Sequence, residues 1–398
     1  MPRLKDLARL LRRRIRTTVW EAFGYPVITN VNRTKAKTRR ALLVYLVEPF
    51  VIRPDDPRFL EHQNVKQCMQ IATALGAAGY CVDVADVADR RFVPPRKYDL
   101  VVSHRVDLPD ANGMLEEAVR VYLASGKNHF VHNRSVRARY QALARRRGCT
   151  LEPPVPNTED MPFVRRSHAI AGFGNRPSVA TWTDVAAVPL FPFNNYGYAS
   201  TRSTIESKNF ADARSRFLFF ASRDQVAKGL DLLLEIFAHH PELELYVCSA
   251  YGKEESFVRC YEQELLHTAN IHAMGLIGVN TEQFYDLTRI CGHVIHPSCS
   301  DATPGSVVQC MHAGLIPIVT KECGMELQGV GTELPDDSPA TIERVIIESD
   351  GRQEGWLVDQ ARKTRQLALE QYSEDAFVRR WNEIAVSLAS LHGTGQRA

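Results

Sequence analysis

His296-Pro-Ser-Cys-Ser-Asp-Ala-Thr-Pro-Gly-Ser-Val-Val-Gln-Cys-Met-His-Ala-Gly-Leu-Ile-Pro-Ile-Val-Thr320 places strand, loop, helix and strand within one short stretch. Val294 and Ile295 close an apolar strand, and Pro297 to Gly305 cannot continue it. Ser306 reads as a helix N-cap ahead of Val307, Val308, Cys310 and Met311. This order aims a helix N-terminus outside the strand's carboxyl end, where unpaired N–H groups and the positive dipole end favour an anion such as phosphate.

A second block stands upstream, Phe217-Leu-Phe-Phe-Ala-Ser-Arg-Asp-Gln-Val-Ala-Lys-Gly-Leu-Asp-Leu-Leu-Leu-Glu-Ile-Phe237, again a strand, a short loop and a helix. Strands are expected near 217–221, 243–248, 271–274, 292–296 and 315–319. Arg223, Ser249, Asp301 and Pro304 then all follow strands on one edge of a parallel sheet, the edge where such sheets bind ligands.

Taken together, these residues resemble the retaining nucleotide-sugar glycosyltransferases of family 4, whose fold is GT-B: two Rossmann-like, doubly wound α/β domains facing a central cleft. Pro297, Ser298, Pro304, Met311 and Gly314 match the family's P-S-x-x-E-G-x-P-x-x-x-x-E-A-M-A-x-G in register. The similarity runs over about residues 216 to 335. The two acids of the family's E-x7-E fall on Asp301 and Gln309, a shorter acid and an uncharged amide. The resemblance implies that Asp301 holds the transferred sugar and Gln309 the ribose, and that Arg223 and Lys228 are the basic pair on the diphosphate. Such a pair stabilises the charge that grows on a leaving group. Ser249, Thr303, Gly305, Ser306 and Ile277 are the further donor-side candidates, alongside Pro304.

Ahead of this region, short apolar strands alternate with helices from Ala41 onward, the pattern of a parallel sheet with crossover helices. Strands are read at 41–47, 81–87, 99–104 and 129–132, with helices at 65–78 and 114–124. Ser167 to Gly172 and Val185 to Pro189 are read as closing the sheet. Three histidines are candidates here. His132, read as ending a strand, matches the position where the family often reaches the transferred sugar, although a histidine after a strand is as readily structural. His104 lies on the same edge and faces the acceptor in this reading. His62 precedes the first long helix. The expected division is a basic segment 1–40, an acceptor-side domain 41–200, a nucleotide-sugar domain 201–372 with a hinge between about 192 and 215, and a helix 373–398 crossing back. That last helix carries Phe377, Trp381, Ile384 and Leu388 on one stripe.

Composition bounds the alternatives. The chain has 398 residues, 44% of them apolar and 24% charged, as in ordinary globular proteins, and its length suits two domains. Nine scattered cysteines without a C-x-x-C pair argue against a disulfide framework and a zinc site, and for a reducing cytosol. No apolar run reaches the ~18 to 20 residues of a membrane span. Residues 1–40 carry a net charge of +10, so the rest of the chain is acidic, which argues against nucleic acid as a partner. Within residues 3–23, Leu4, Leu7, Leu11, Ile15, Val19 and Phe23 recur at helical spacing opposite arginines, with Trp20 as an interfacial anchor. This reads either as a helix lying on an anionic membrane surface or as one packed on its own protein.

The expected activity is transfer of a sugar from a nucleoside diphosphate sugar to an acceptor hydroxyl of a glycan or glycolipid, with retention, and without cofactor or metal. The cations Arg223 and Lys228 and the helix at Ser306 stand where a D-x-D-bound cation would. No pair of carboxylates flanks a scissile bond as a hydrolase requires. A silent nucleotide-binding protein and a nucleotide-sugar epimerase are the rival readings.

Overall fold

The computed structural model describes residues 18–22, 24–34, 39–53, 56, 59, 63–198, 201–279 and 281–394. Two six-stranded, wholly parallel sheets face one another. The first is built from β1 (Arg39–Tyr45), β2 (Tyr80–Asp86), β3 (Leu100–Ser103), β4 (Val119–Ala124), β5 (Ala169–Phe173) and β6 (Leu190–Phe193), in the order β2-β1-β3-β4-β5-β6. The second holds β7 (Arg216–Phe220), β8 (Glu244–Cys248), β9 (Ile271–Ala273), β10 (His293–His296), β11 (Ile316–Thr320) and β12 (Thr332–Leu334), in the order β12-β11-β10-β7-β8-β9. The chain runs outward from β7 to β9 and then jumps back to β10 on the other side of β7. That reversal opens a crevice outside the carboxyl ends of β7 and β10.

Seven helices bear on the argument: α1 (Gln63–Ala77), α2 (His129–Arg147), α3 (Gln225–Lys228), α4 (Leu230–Phe237), α5 (Gly305–Ala313), α6 (Glu354–Gln371) and α7 (Glu374–Thr394). The α7 stripe of Phe377, Trp381, Ile384 and Leu388 is buried in the core of the first sheet, with the Trp381 ring edge-on to Phe193 at 5.2 Å. Each such side chain contributes roughly 1.5–3 kcal/mol by leaving water.

Two elements of the first sheet differ from the sequence reading. Residues 119–124, expected in a helix, form β4, because Val119, Val121 and Leu123 alternate with Arg120 and Tyr122 at the period of a strand. Residues 129–132, expected as a strand, are the first turn of α2. The Asn128 side chain accepts from the Val131 N–H at 2.9 Å, and Gly148, at φ 72°, ends the helix. A four-residue apolar run does not distinguish strand from helix; the N-cap asparagine and the terminal glycine do. The last strand lies at 190–193 rather than 185–189.

Although it follows β4, α2 packs into the second lobe. Val136, Tyr140 and Leu143 are buried with Phe219, Val226 and Leu232. Arg139 donates to the Pro297 carbonyl at 2.9 Å and to Asp337 at 2.7 Å, Arg146 pairs with Asp231 at 2.7 Å, and Arg147 pairs with Glu264 at 2.6 Å. Cys149 and Cys260 form a disulfide across the same seam. This corrects the expectation of cysteines without pairing, since two residues 111 apart in sequence meet only through the fold. The other seven cysteines are free and buried.

Residues 1–17 of the basic segment, with Leu4, Leu7, Leu11, Ile15 and the arginines among them, lie outside the described residues, as do Phe23 and His62. Residues 18–22 within it form a helical turn held to the first lobe. The Arg91 guanidinium donates to the carbonyls of Glu21 at 3.2 Å and Ala22 at 3.1 Å, and Trp20 packs against the core beside Tyr25. Trp20 therefore serves its own protein in this structure rather than standing free as an interfacial anchor. Among the described residues no helix is long and apolar enough to cross a membrane.

Candidate functional site

The loop 297–304 is fixed from both sides. The Cys299 N–H donates to the Ala227 carbonyl at 2.9 Å, and Ser298 Oγ donates to the same oxygen at 3.2 Å. On the other flank the Asp301 N–H donates to Glu322 O at 3.0 Å and the Thr303 N–H to Cys323 O at 2.7 Å. The α3 turn and the 297–304 loop are thus one unit, which explains the Lys-Gly pair. Gly229 has φ 86°, and a Cβ there would lie 2.5 Å from the Pro297 carbonyl oxygen. Gly229→Ala is expected to cost roughly 2–3 kcal/mol in a denaturant titration, from left-handed strain plus overpacking. It should also weaken any ligand held by Lys228, since the lysine moves with the turn.

α5 begins at Gly305, and its cap position is Pro304, two residues ahead of the expected cap Ser306; Pro304 offers no side-chain bond. The first-turn N–H groups are therefore not spent on a capping side chain, and they point toward a cavity of about 650 Å³ between the lobes. Gln63, Asn195 and Tyr198 line it on one side; Ser222, Lys228, Ile277, His296, Asp301, Pro304, Gly305 and Ser306 line it on the other. Leu276 and Val279 add an apolar wall.

Lys228 and Asp301 form an ion pair on the cavity wall, and His296 Nε2 lies 3.2 Å from the same carboxylate oxygen. Burial works to raise the Asp301 carboxyl, but the Lys228 ammonium and His296 outweigh it and hold the group well below the usual carboxylate range. Burial likewise works against the Lys228 ammonium, and Asp301 more than restores it, so its pKa is raised. His296 is pushed down by burial and stays neutral, so its Nε2–H is the donor to Asp301 and Nδ1 is a bare acceptor with no partner. The Asp301 carboxylate is further used by the Ala302 N–H, at 2.9 Å from Oδ1. The ion pair with Asp301 thus fixes the position of Lys228 on the cavity wall.

His132 reaches this group from α2, with Nδ1 3.0 Å from Ser300 Oγ. Burial first, then Lys228 and His129, push it toward the neutral form. His104 lies off the cavity, its Nδ1–H donating to Leu123 O at 2.7 Å, its pKa lowered by burial.

Four expected ligand residues lie elsewhere. Arg223 is 84% exposed and pairs only loosely with Asp224 at 4.0 Å. Asp224 adopts a left-handed backbone at φ 63°, and the Glu254 carboxylate takes the N–H groups of Asp224 at 2.7 Å and Gln225 at 3.2 Å, so the turn sends Arg223 into solvent. Gln309 is fully buried; its Oε1 accepts from the Tyr198 N–H at 3.0 Å and its Nε2 donates to Thr201, so the amide holds the interlobe connection rather than facing the cavity. Thr303 is buried at φ 48°, its hydroxyl turned to Gly324 O. Ser249 is buried with no hydrogen-bond partner and does not line the cavity.

Sequence reading assigned no role to His296, Asn195, Gln63 or Glu254. His296 closes β10 immediately before Pro297, and Asn194-Asn195 follows β6 on the ligand edge of its sheet, which are the signals that could have found them. Among the described residues no cluster of three or more His, Cys, Asp or Glu could hold a metal.

Residues 201–329 match the family model for glycosyl transferases group 1, about a third of the chain. No curated protein matches the chain as a sequence relative. Among solved structures it is similar to HepE of Anabaena, which holds UDP and glucose, at 14% identity and TM-score 0.53, covering 89% of this chain and 100% of that one. It is also similar to sucrose-phosphate synthase of Thermosynechococcus elongatus, at 13% identity and TM-score 0.58, again over 89% and 100%. The N-terminal domain of Candida albicans trehalose-6-phosphate phosphatase matches at 11% identity and TM-score 0.55 over 90% and 98%. The fold is GT-B, as the sequence resemblance implied.

Proposed function

We propose that the chain is a retaining, metal-independent glycosyltransferase that moves a sugar from a nucleoside diphosphate sugar to an acceptor hydroxyl. The observation that carries this reading is the cavity at the β7/β10 switch point, with the Lys228 ammonium and the α5 N-terminus on one wall. Both are suited to a diphosphate and to the negative charge that grows on it as the glycosidic bond breaks. Leu276, Ile277 and Val279 offer an apolar seat for the base. On departure the diphosphate takes the proton of the acceptor hydroxyl on the same face, which accounts for retention. His132 and the His296–Asp301 pair border the place of the transferred sugar. Arg223, next in the chain to Ser222 on the cavity wall, joins the diphosphate by swinging in from solvent.

The acceptor is a glycan or glycolipid hydroxyl entering along the first lobe, near His104. The arginines of residues 3–23 favour a glycolipid at the cytoplasmic face of a membrane, each adding about 1 kcal/mol of attraction to an anionic surface. A silent nucleotide-binding protein is the second reading, favoured by the amide of Gln309, which is committed to the interlobe connection.

A thermal-shift panel of UDP, GDP and ADP and their sugars separates these readings when combined with a sugar-release assay. The expected result is stabilisation by one nucleotide class, about 2.7 kcal/mol at a hundredfold excess over Kd, with slow hydrolysis of its sugar. Binding without any turnover, with or without an acceptor, would select the silent reading; no binding would reject both.

A further inference from the structure

Gly305 opens α5 on the cavity between the two lobes. A Cβ on it would stand 2.9 Å from Asn195 Nδ2 and 3.0 Å from Gln63 Nε2. Two side-chain amides of the first lobe therefore lie against the first turn of a second-lobe helix. The orientation of the Asn195 amide is fixed by its partners. Its Oδ1 accepts from the Tyr196 N–H at 2.9 Å and from Gln67 Nε2 at 2.8 Å. A backbone N–H can only donate, so the oxygen must face Tyr196, and the NH2 must face the cavity and Gly305.

This is an unusual direction for an amide. A carbonyl oxygen turned toward a helix N-terminus would be favoured, whereas here an N–H group joins others of its own sign. The α5 N–H groups, Asn195 Nδ2, Gln63 Nε2 and the Lys228 ammonium border one cavity and are all donors. The Asp301 carboxylate, on the same wall, is already engaged by Lys228, His296 and the Ala302 N–H, so the remaining donors are best satisfied by an anion with several oxygens.

We infer that Asn195 is a diphosphate ligand contributed by the first lobe, held in donor orientation by Gln67 and the Tyr196 N–H, so that the anion is gripped from both lobes at once. The inference rests on the proposed function and adds to it a specificity residue outside the matched segment 201–329. It also assigns a purpose to Gly305, because any side chain there would displace the amide from the anion.

The test compares wild type, Asn195→Ala and Asn195→Asp by calorimetry with inorganic pyrophosphate, UDP and uridine, in EDTA, alongside thermal melting. Asn195→Ala should weaken pyrophosphate and UDP by about 10-fold, the usual worth of a hydrogen bond to a charged group, and leave uridine unchanged. Asn195→Asp keeps the bonds to Tyr196 and Gln67 and turns a carboxylate oxygen toward α5. It should melt no lower than wild type, since negative charge suits a helix N-terminus, yet lose pyrophosphate and UDP by more than about 50-fold through repulsion. A merely structural role would produce the opposite pairing, or weaken uridine and UDP alike, and either result overturns the inference. So does Asn195→Asp with wild-type affinity. If wild type takes up neither pyrophosphate nor any of UDP, GDP and ADP, the functional reading itself fails first, and this inference falls with it.

Discussion

Lys228→Ala should lose about 100- to 1,000-fold in kcat/KM for sugar transfer, the range seen when a preorganised group facing developing charge is removed, together with most nucleoside diphosphate affinity. It should also be less stable. Asp301 would remain on the cavity wall with only neutral His296 and a backbone N–H for company. Removing one member of a fully buried ion pair costs roughly 3–5 kcal/mol; with Lys228 22% and Asp301 15% exposed, the lower end applies. Two defects in one variant are separable by a second change. In Lys228→Ala/Asp301→Asn the uncompensated charge is gone, and urea unfolding should return to within about 1 kcal/mol of wild type. Binding and transfer should stay lost, because the ammonium is still absent. Recovery of both would reduce Lys228 to a structural role and take the proposed mechanism with it.

The second large effect is an early loss of stability in mild acid. His104, His129, His132, His293, His296 and His312 are all pushed below the ordinary histidine range, in each case first by burial. His293 is the extreme, lowered to about 3, with its ring stacked on Phe217 at 4.9 Å and neither nitrogen hydrogen-bonded. A histidine whose folded pKa lies below its unfolded value is protonated first in the unfolded chain. The stability it permits is complete above about pH 6.5 and is lost as pH falls toward the folded value. Asp231, raised to about 6 by burial against the pull of Arg139 and Arg146, works in the other direction, as do Asp86 and Glu254, both also raised. His240, raised by Glu343, adds to that opposition from a half-buried site near the surface, where screening keeps it small. Six histidines against three carboxyls and one surface pair leave the acid side weaker. Each tenfold change in proton affinity is about 1.4 kcal/mol, so His293 alone contributes a few kcal/mol. Urea midpoints measured from pH 7.5 to 5 should fall steadily below pH 6.5. His293→Phe, which keeps the stack and removes the titration, should flatten that slope and be more stable than wild type at pH 5.5. An unchanged slope would mean that His293 keeps its proton balance on unfolding.

Five of the second lobe's six strands are legible in the sequence to within a residue or two, because they are short apolar runs bounded by Pro, Gly and Ser; β12, three residues long with Glu333 at its centre, is not. The lobe's site was legible in part. Lys228, Asp301, Pro304, Gly305, Ser306 and Ile277 do line one cavity, since each follows a strand whose direction fixes the edge. Arg223 and Gln309 do not line that cavity, and the neighbours responsible are ones no local pattern reveals. Glu254, 31 residues on from Arg223, takes the backbone N–H groups of the turn, and the interlobe segment at Tyr198 and Thr201 takes the amide of Gln309. In the first lobe the first turn of α2 reads as a strand, and its seat against the other lobe is not legible because Val136, Tyr140 and Leu143 are interleaved with arginines. Arg139 is buried only because Asp337, Asp231 and the Pro297 carbonyl meet it from the other lobe. A helix whose partners lie 80 to 200 residues away looks, on its own, like a solvated one.

That helix has a consequence for how such a molecule can diversify. Val136, Tyr140 and Leu143 belong by chain order to one half and by packing to the other. A recombination that exchanged the first half at the connection near residue 200 would therefore also carry off a piece of the second half's interior. The newcomer would bring its own plug for that gap, cut to a different wall. Change is accommodated more readily in loops at the rim than by swapping halves, which are not interchangeable cartridges.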